Sequence, residues 1–295
     1  MMPESRRKRL EKLLRSQVRG HVVRGDQILR ARGHSAVNRG PAEPPPPIAL
    51  HEACGGATAA DSLGRPCWLI RRTLAEVEGE STALAGDYAR VLRGARQRFD
   101  ELAATAALCH AADAKPEDLL FMDTETCGLA GCMIFLVGIM FFADDQLVFE
   151  QWLARDYSEE AAILQAFADR YGQAGVLVTF NGKSFDMTQI RDRWVFHAIE
   201  SPWTDPPHLD LLHESRRRWK GQLKRFTLQT LERHFCGRHR TGDIPGAAIP
   251  AAYHDFVASG DARRMKDILH HNLLDLLTMA QLVTILLTGC DPVEP

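Results

Sequence analysis

Leu119-Leu120-Phe121-Met122-Asp123-Thr124-Glu125-Thr126-Cys127-Gly128 is the stretch that decides the reading of this chain. An apolar run of strand length ends in Asp-x-Glu, and a glycine closes it. Residues i and i+2 of a strand project from one face, so Asp123 and Glu125 aim together at one spot beside a hydrophobic core. Two carboxylates there lose hydration and need a cation or hydrogen bonds in compensation. The simplest compensation is a divalent metal, and that calls for further carboxylates later in the chain.

The pattern on either side of this strand is that of an α/β domain. Residues 133–142 are continuously apolar and predict a buried strand, and 146–153 predict its hairpin partner. Ser158, followed by Glu159 and Glu160, opens a helix expected to run to residue 171. A short buried strand is expected over 176–180, a helix over 185–197 and a strand over 208–212. Helices are expected around 213–220, 227–235 and 250–258, with a long one over 261–288. Three antiparallel strands followed by strands alternating with helices indicate a mixed sheet of five strands flanked by helices.

Upstream, 64–73 reads as a strand and 87–111 as a helix. The expected organisation is a basic, Pro-rich, partly disordered arm over 1–50, an accessory segment over 51–116 and the main domain over 117–289. The arm carries eleven Lys or Arg against four Asp or Glu, although the whole chain of 295 residues has a net charge of -2. A basic arm on a carboxylate-rich body suits a polyanionic partner. The seven cysteines form no C-x2-C pair, which argues against a zinc module and a disulfide framework and for reduced thiols. No stretch is expected to be long and apolar enough to cross a membrane, and the N-terminus lacks the apolar region of a secretory signal. The cytoplasm is the expected location, with no membrane partner, and nothing in the sequence sets an oligomeric state.

Two further segments carry chemistry. In Phe180-Asn181-Gly182-Lys183-Ser184-Phe185-Asp186 a strand ends, Gly182 permits a sharp turn, and Asp186 enters the next helix. Ligands of open α/β sheets bind beyond the carboxyl ends of strands, so Asp186 can face Asp123 and Glu125, or it can simply cap its helix. Asn181 and Lys183 offer polar contacts to a phosphate or a base. In His270-His271-Asn272-Leu273-Leu274-Asp275, His271 and Asp275 stand at i and i+4 on one face of the long helix. Arg216-Arg217-Arg218-Trp219-Lys220 is the densest basic cluster of the main domain. Arg216, Arg217 and Lys220 are candidates for phosphate contact and Trp219 for base stacking, unless the run is only a solvated helix face.

Asp-x-Glu on a strand, Asn-x3-Phe-Asp at the next, and His-x3-Asp in a later helix together resemble the three motifs of the DEDD 3′→5′ exonuclease superfamily on a ribonuclease H-like fold. The YprB-type branch is the most similar. Its pattern also appears in His208-Leu209-Asp210-Leu211-Leu212, in Leu228-x2-Leu231-Glu232, in Arg240-x2-Asp243-Ile244-Pro245-Gly246 and in His271-Asn272-x2-Asp275. The resemblance covers about residues 117–288. It implies that Asp123, Glu125, Asp186 and Asp275 hold two Mg²⁺ or Mn²⁺ ions, and that His271, or alternatively His270, is the general base. The implied partner is nucleic acid, DNA or RNA, engaged at its 3′ end. The alternatives are an endonuclease of ribonuclease H type and a non-catalytic nucleic-acid-binding module on the same fold.

Overall fold

Among the described residues one mixed sheet holds seven strands, not the expected five, in the order β1-β2-β5-β4-β3-β6-β7. They are β1 Ala57–Ala60, β2 Pro66–Thr73, β3 Leu119–Thr126, β4 Ile134–Ala143, β5 Gln146–Leu153, β6 Val176–Thr179 and β7 His208–Asp210. The computed structural model describes residues 45–77, 83–98, 104–128, 131–202 and 205–288. The basic arm therefore lies almost wholly outside the described residues.

The two extra strands come from the segment taken as accessory. β2 pairs antiparallel with β5 from Trp68↔Leu153 to Thr73↔Val148, and β1 pairs with β2. Without them β5 would present a row of unpaired backbone groups at the sheet edge. β4 and β5 form the expected hairpin, turning at Asp144 and Asp145 with φ of 51° and 57°. Two consecutive positive φ values match a two-residue turn whose twist suits a hairpin, and aspartate tolerates that conformation. β3, β6 and β7 run parallel, so their carboxyl ends lie at one side.

Helices cover both faces: α1 Leu50–Cys54, α2 Ala83–Arg98, α3 Ala106–Asp113, α4 Glu160–Tyr171, α5 Asp186–Phe196, α6 Leu211–Arg218, α7 Leu228–Leu231, α8 Ile249–Ser259 and α9 Arg263–Thr288. The helix expected over 87–111 is two helices. Thr105 starts the second by accepting a hydrogen bond from the Leu108 amide, a helix-start signal inside what reads as one periodic run. A π-helical turn, Glu232–Cys236, continues α7.

α9 organises the core. Met265, Ile268 and Leu269 join the apolar cluster on the face of α4, α5 and α8, while Leu273, Leu276, Leu277, Met279, Leu282 and Val283 join the cluster that contains α2 and α3. By length and composition α9 could cross a membrane, which corrects the expectation of no such stretch, yet 67% of its apolar window is buried inside the fold. Its start is clipped to the chain near Ile48, whose carbonyl accepts from the Ala262 amide at 2.9 Å and whose amide donates to Asp261 Oδ1 at 3.2 Å. Residues 46–50, assigned to the arm on composition, are thus bonded to the body, and Leu50 is buried.

Candidate active site

β3 delivers Asp123 and Glu125 on the face they share with the buried Leu119 and Phe121. The pairing with β4 shifts register between Glu125 and Thr126, a bulge of the kind that re-aims side chains beside active sites. Across the sheet, Asp123, Gly138 of β4 and Gln151 of β5 stand in register. α9 lays Asn272 over this row. Its amide donates to Asp123 Oδ2 at 2.8 Å, and its carbonyl accepts from Gln151 Nε2 at 2.8 Å. A Cβ on Gly138 would lie 2.0 Å from Asn272 Oδ1, so glycine is required there for a close approach.

Asp186 arrives from α5, whose Met187 and Ile190 pack in the opposite core cluster. Its carboxylate accepts from Thr124 Oγ1, the side chain between the two acids of β3. It does not cap α5, which has no side-chain cap. The turn before it is held by Asp210, which accepts from the amides of Asn181 at 2.9 Å, Lys183 at 3.1 Å and Leu212 at 3.0 Å. The left-handed residue of this turn is Asn181, at φ 66°, not Gly182. Gly182 is needed for space, since a Cβ there would meet Thr179 Oγ1 at 2.4 Å. Lys183 is exposed and Asn181 half-buried.

From α9, Asp275 and His271 complete the cluster, with Nε2 of His271 3.6 Å from Asp275 Oδ2. Nδ1 of His271 lies 2.9 Å from Asp243 Oδ1 and 3.0 Å from its Oδ2. A carboxylate only accepts, so Nδ1–H donates to Asp243, and Nε2 is the nitrogen turned toward Asp275. His270 is exposed on the adjoining face. Arg240, only 5% exposed, spans three acids: Nε to Glu232 at 2.6 Å, Nη1 to Asp243 at 3.3 Å and Nη2 to Asp275 at 2.6 Å. Burial works against its charge, but Asp275 and Glu232 outweigh that and hold the guanidinium protonated.

The acids are strained by one another. Burial, then the charges of Asp275, Glu125 and Asp186, push the Asp123 carboxyl well above the ordinary carboxylate range, against the Asn272 hydrogen bond. Glu125 is pushed well up by burial, Asp275, Asp186 and Asp243. Burial raises Asp186 to about 6, opposed by Thr124. Burial also raises Asp275, held back by Arg240 and His271. Among the described residues, no three acid, imidazole or thiol groups stand close enough to hold one ion as they are arranged. By donor chemistry the set nonetheless fits a hard divalent cation, with four carboxylates and no thiol. Glu125 accepts no hydrogen bond from any described residue.

A group whose pKa is raised on folding supports the fold below its unfolded pKa and loses that support as pH rises through the folded value. For Asp186 the loss runs from about pH 4 to about pH 6, and for Asp123 and Glu125 it continues higher. In EDTA the melting temperature should therefore fall by several degrees from pH 5 to 7.5, and Mn²⁺ should flatten the slope. A scan in EDTA in which stability rises over that window would contradict the strain.

Beside Glu125 opens a cavity of about 290 Å³ lined by Glu125, Thr126, Gly128, Phe185, Gly246, Ala247, Ile249 and Pro250. Phe185, 41% exposed, offers its ring there. The basic run on α6 is separate. Trp219 is fully buried and stacks on Phe235 at 3.9 Å between centroids, so the expected base stacking by Trp219 is corrected. Arg217 pairs with Glu214 at 2.9 Å, and Arg216 and Lys220 are exposed. The hydrogen bonds and ion pairs of the described residues do not link these three with the carboxylate cluster.

Gln151, Gly138 and Phe185 carry no role that the sequence alone shows, and Asn272, Glu232, Arg240 and Asp243 enter there only as pattern. The signals are a lone glycine within the apolar β4 and Gln151 within the largely apolar β5.

A model of a family described as the RNase_H superfamily matches residues 120–287. The chain is also 35% identical over 184 residues to the "Uncharacterized protein YprB" of Bacillus subtilis (strain 168). That match takes in 60% of this chain and 44% of YprB, so the chain spans less than half the length of that relative.

Proposed function

The chain belongs to the RNase_H superfamily, and from that premise we propose that it is a metal-dependent nuclease of the DEDD type, removing nucleotides 3′→5′ from single-stranded or frayed nucleic acid. The observation that carries this reading is the meeting of four mutually repelling carboxylates with an oriented imidazole from three separate elements. Asp123, Glu125, Asp186 and Asp275 would hold two Mg²⁺ or Mn²⁺ ions. Such a pair, when bound, activates water and offsets the charge that develops on the leaving 3′ oxygen.

The chain's own residues account for the rest. His271 accepts the proton of the attacking water at Nε2, because Asp243 holds Nδ1 protonated and fixes the ring. Arg240 opposes the upward push of burial on Asp275 and fixes its carboxylate through the 2.6 Å contact. Phe185 stacks the terminal base in the apolar cavity next to Glu125. Asn181 and Lys183 contact the strand on one side of Asp186, and Arg216, Arg217 and Lys220 serve as more distant phosphate contacts.

The test is cleavage of 3′- and 5′-labelled single-stranded DNA and RNA with Mn²⁺, alongside a circular substrate. Mononucleotides released from 3′ ends, with the circle intact, are expected. A cut circle would replace the exonuclease with an endonuclease of ribonuclease H type. Binding without any cleavage would make the protein a non-catalytic module.

A further inference from the structure

Asp243 also lines a second cavity, of about 340 Å³, with Gln229, Glu232, Arg233, Arg238, Arg240, Ile244 and Pro245 among others. It shares two walls with the catalytic cluster, because Asp243 faces His271 and Arg240 faces Asp275. Three arginines and two acids line it, and Asp275 also takes Arg240, so Arg233 is the lining cation without a carboxylate partner among the described residues. Both acids are already engaged. Glu232, 1% exposed, takes Arg238 at 3.1 Å and Arg240 at 2.6 Å, while Asp243 takes His271 and the Gln229 amide at 3.2 Å. Arg233 stands exposed on the π-helical turn with no ion-pair or hydrogen-bond partner among the described residues.

The size of the cavity separates two classes of ligand. Water takes about 30 Å³ in the liquid, so this space would hold roughly ten waters. That is the room of a nucleotide and far more than a lone ion needs. Ile244 and Pro245 supply apolar wall, and Gln229 supplies an amide. Guanidinium groups match phosphate oxygens in geometry as well as in charge.

We propose that this cavity is a nucleotide subsite, in which Arg233 and Arg238 grip a phosphate of the substrate while the Ile244-Pro245 wall carries its sugar and base. The inference rests on the nuclease reading for its account of turnover, but not for its account of binding. The occupant is a nucleotide unit, either within the bound strand or as free product.

The experiment is equilibrium binding in EDTA, where no cleavage intervenes, to labelled oligothymidylate and separately to AMP, each over a salt series. Wild type is compared with Arg233→Gln and Arg233→Glu. Arg90→Glu is the control for net charge, since Arg90 is exposed on α2 and paired there with Asp87. Melting temperatures establish that each variant is folded. Arg233→Gln should weaken oligonucleotide binding about 3–10-fold and Arg233→Glu more than 10-fold. The slope of log K against log salt should fall by about 0.7 in the charge-neutral variant, the share of one phosphate contact on a single strand. AMP binding that falls in parallel means the cavity also takes free product, and a loss confined to the oligonucleotide assigns it to the strand.

Equal binding by wild type and Arg233→Glu, an equal loss in Arg90→Glu, or no oligonucleotide binding by the wild type would each overturn the subsite. If the wild type binds through Arg233 yet cleaves nothing under Mn²⁺, the nuclease reading fails and the subsite stands. If it cleaves and Arg233→Glu keeps the wild-type KM and salt slope, the reverse holds.

Discussion

Asp123→Asn should lose about a thousandfold in metal-dependent cleavage, some 4 kcal/mol of barrier, and yet melt higher than the wild type in EDTA. The two effects have one cause. Asp123 shares its surroundings with Asp275, Glu125 and Asp186, all of which raise its pKa beyond what burial alone does. The amide keeps an oxygen to accept from Asn272 and removes one of the repelling charges. A gain of about 1 kcal/mol, or ~2–4 °C for a domain of this size, is the expected order. Adding Mn²⁺ should reverse the ranking, because the wild type gains binding energy that the variant lacks. Natural active sites carry strain of this kind, and its relief costs function. Undiminished cleavage by Asp123→Asn would move the site elsewhere. A lower melting point in EDTA would mean that the acids do not oppose one another as described.

Gly138→Val should be the most destabilising single substitution near the site. The new Cβ would stand 2.0 Å from Asn272 Oδ1 and 2.6 Å from its Cγ. Asn272 is fully buried on a core helix and joins Gln151 to Asp123, so it has no solvent side to retreat to. Overpacking costs about 1–3 kcal/mol, and each buried polar group left unpaired adds about 1–3 kcal/mol. The expected loss is on the order of 4 kcal/mol, measurable by urea denaturation. Gly138→Ala combined with Asn272→Ala separates the two contributions. It should recover much of the stability, since the truncated side chain makes room and Gln151 still donates to the Leu269 carbonyl at 2.7 Å. It should not recover cleavage, because nothing then holds the Asp123 carboxylate. A stable, active Gly138→Val protein would show that α9 is not seated on β4 as described.

The elements themselves were legible in the sequence because their signals are local. A run of apolar residues ending in Asp-x-Glu is a strand wherever it packs, and β5 was expected over the same residues it occupies, 146–153. The i, i+4 pair of His271 and Asp275 follows from helical pitch alone. Residues far apart in the chain were legible only as separate hints. Leu273, Leu276 and Leu277 announce a buried stripe on α9, but not that the stripe rests on the face of β3 that carries Asp123.

Where the sequence misled, a local pattern had two physical outcomes. Trp219 amid arginines suits a nucleic-acid surface or a buried anchor beneath one, and Phe235, sixteen residues away, settles it as the anchor. Gly182 suits a turn that needs positive φ or a point of close contact, and the Thr179 side chain makes it the second. The segment 57–73 reads as peripheral on composition, whereas the open edge of β5 draws it into the sheet. Sequence by itself determined which residues carry charge, most strands and helices of the main domain, and which acids sit at element ends, since propensity and periodicity act over a few residues. Only the tertiary structure decided that Asp243 orients His271, that Arg240 grips Asp275 and that Asn272 secures Asp123. Each of those contacts joins elements separated by 28 to 149 residues, and packing around a shared core is what brings them within hydrogen-bond reach.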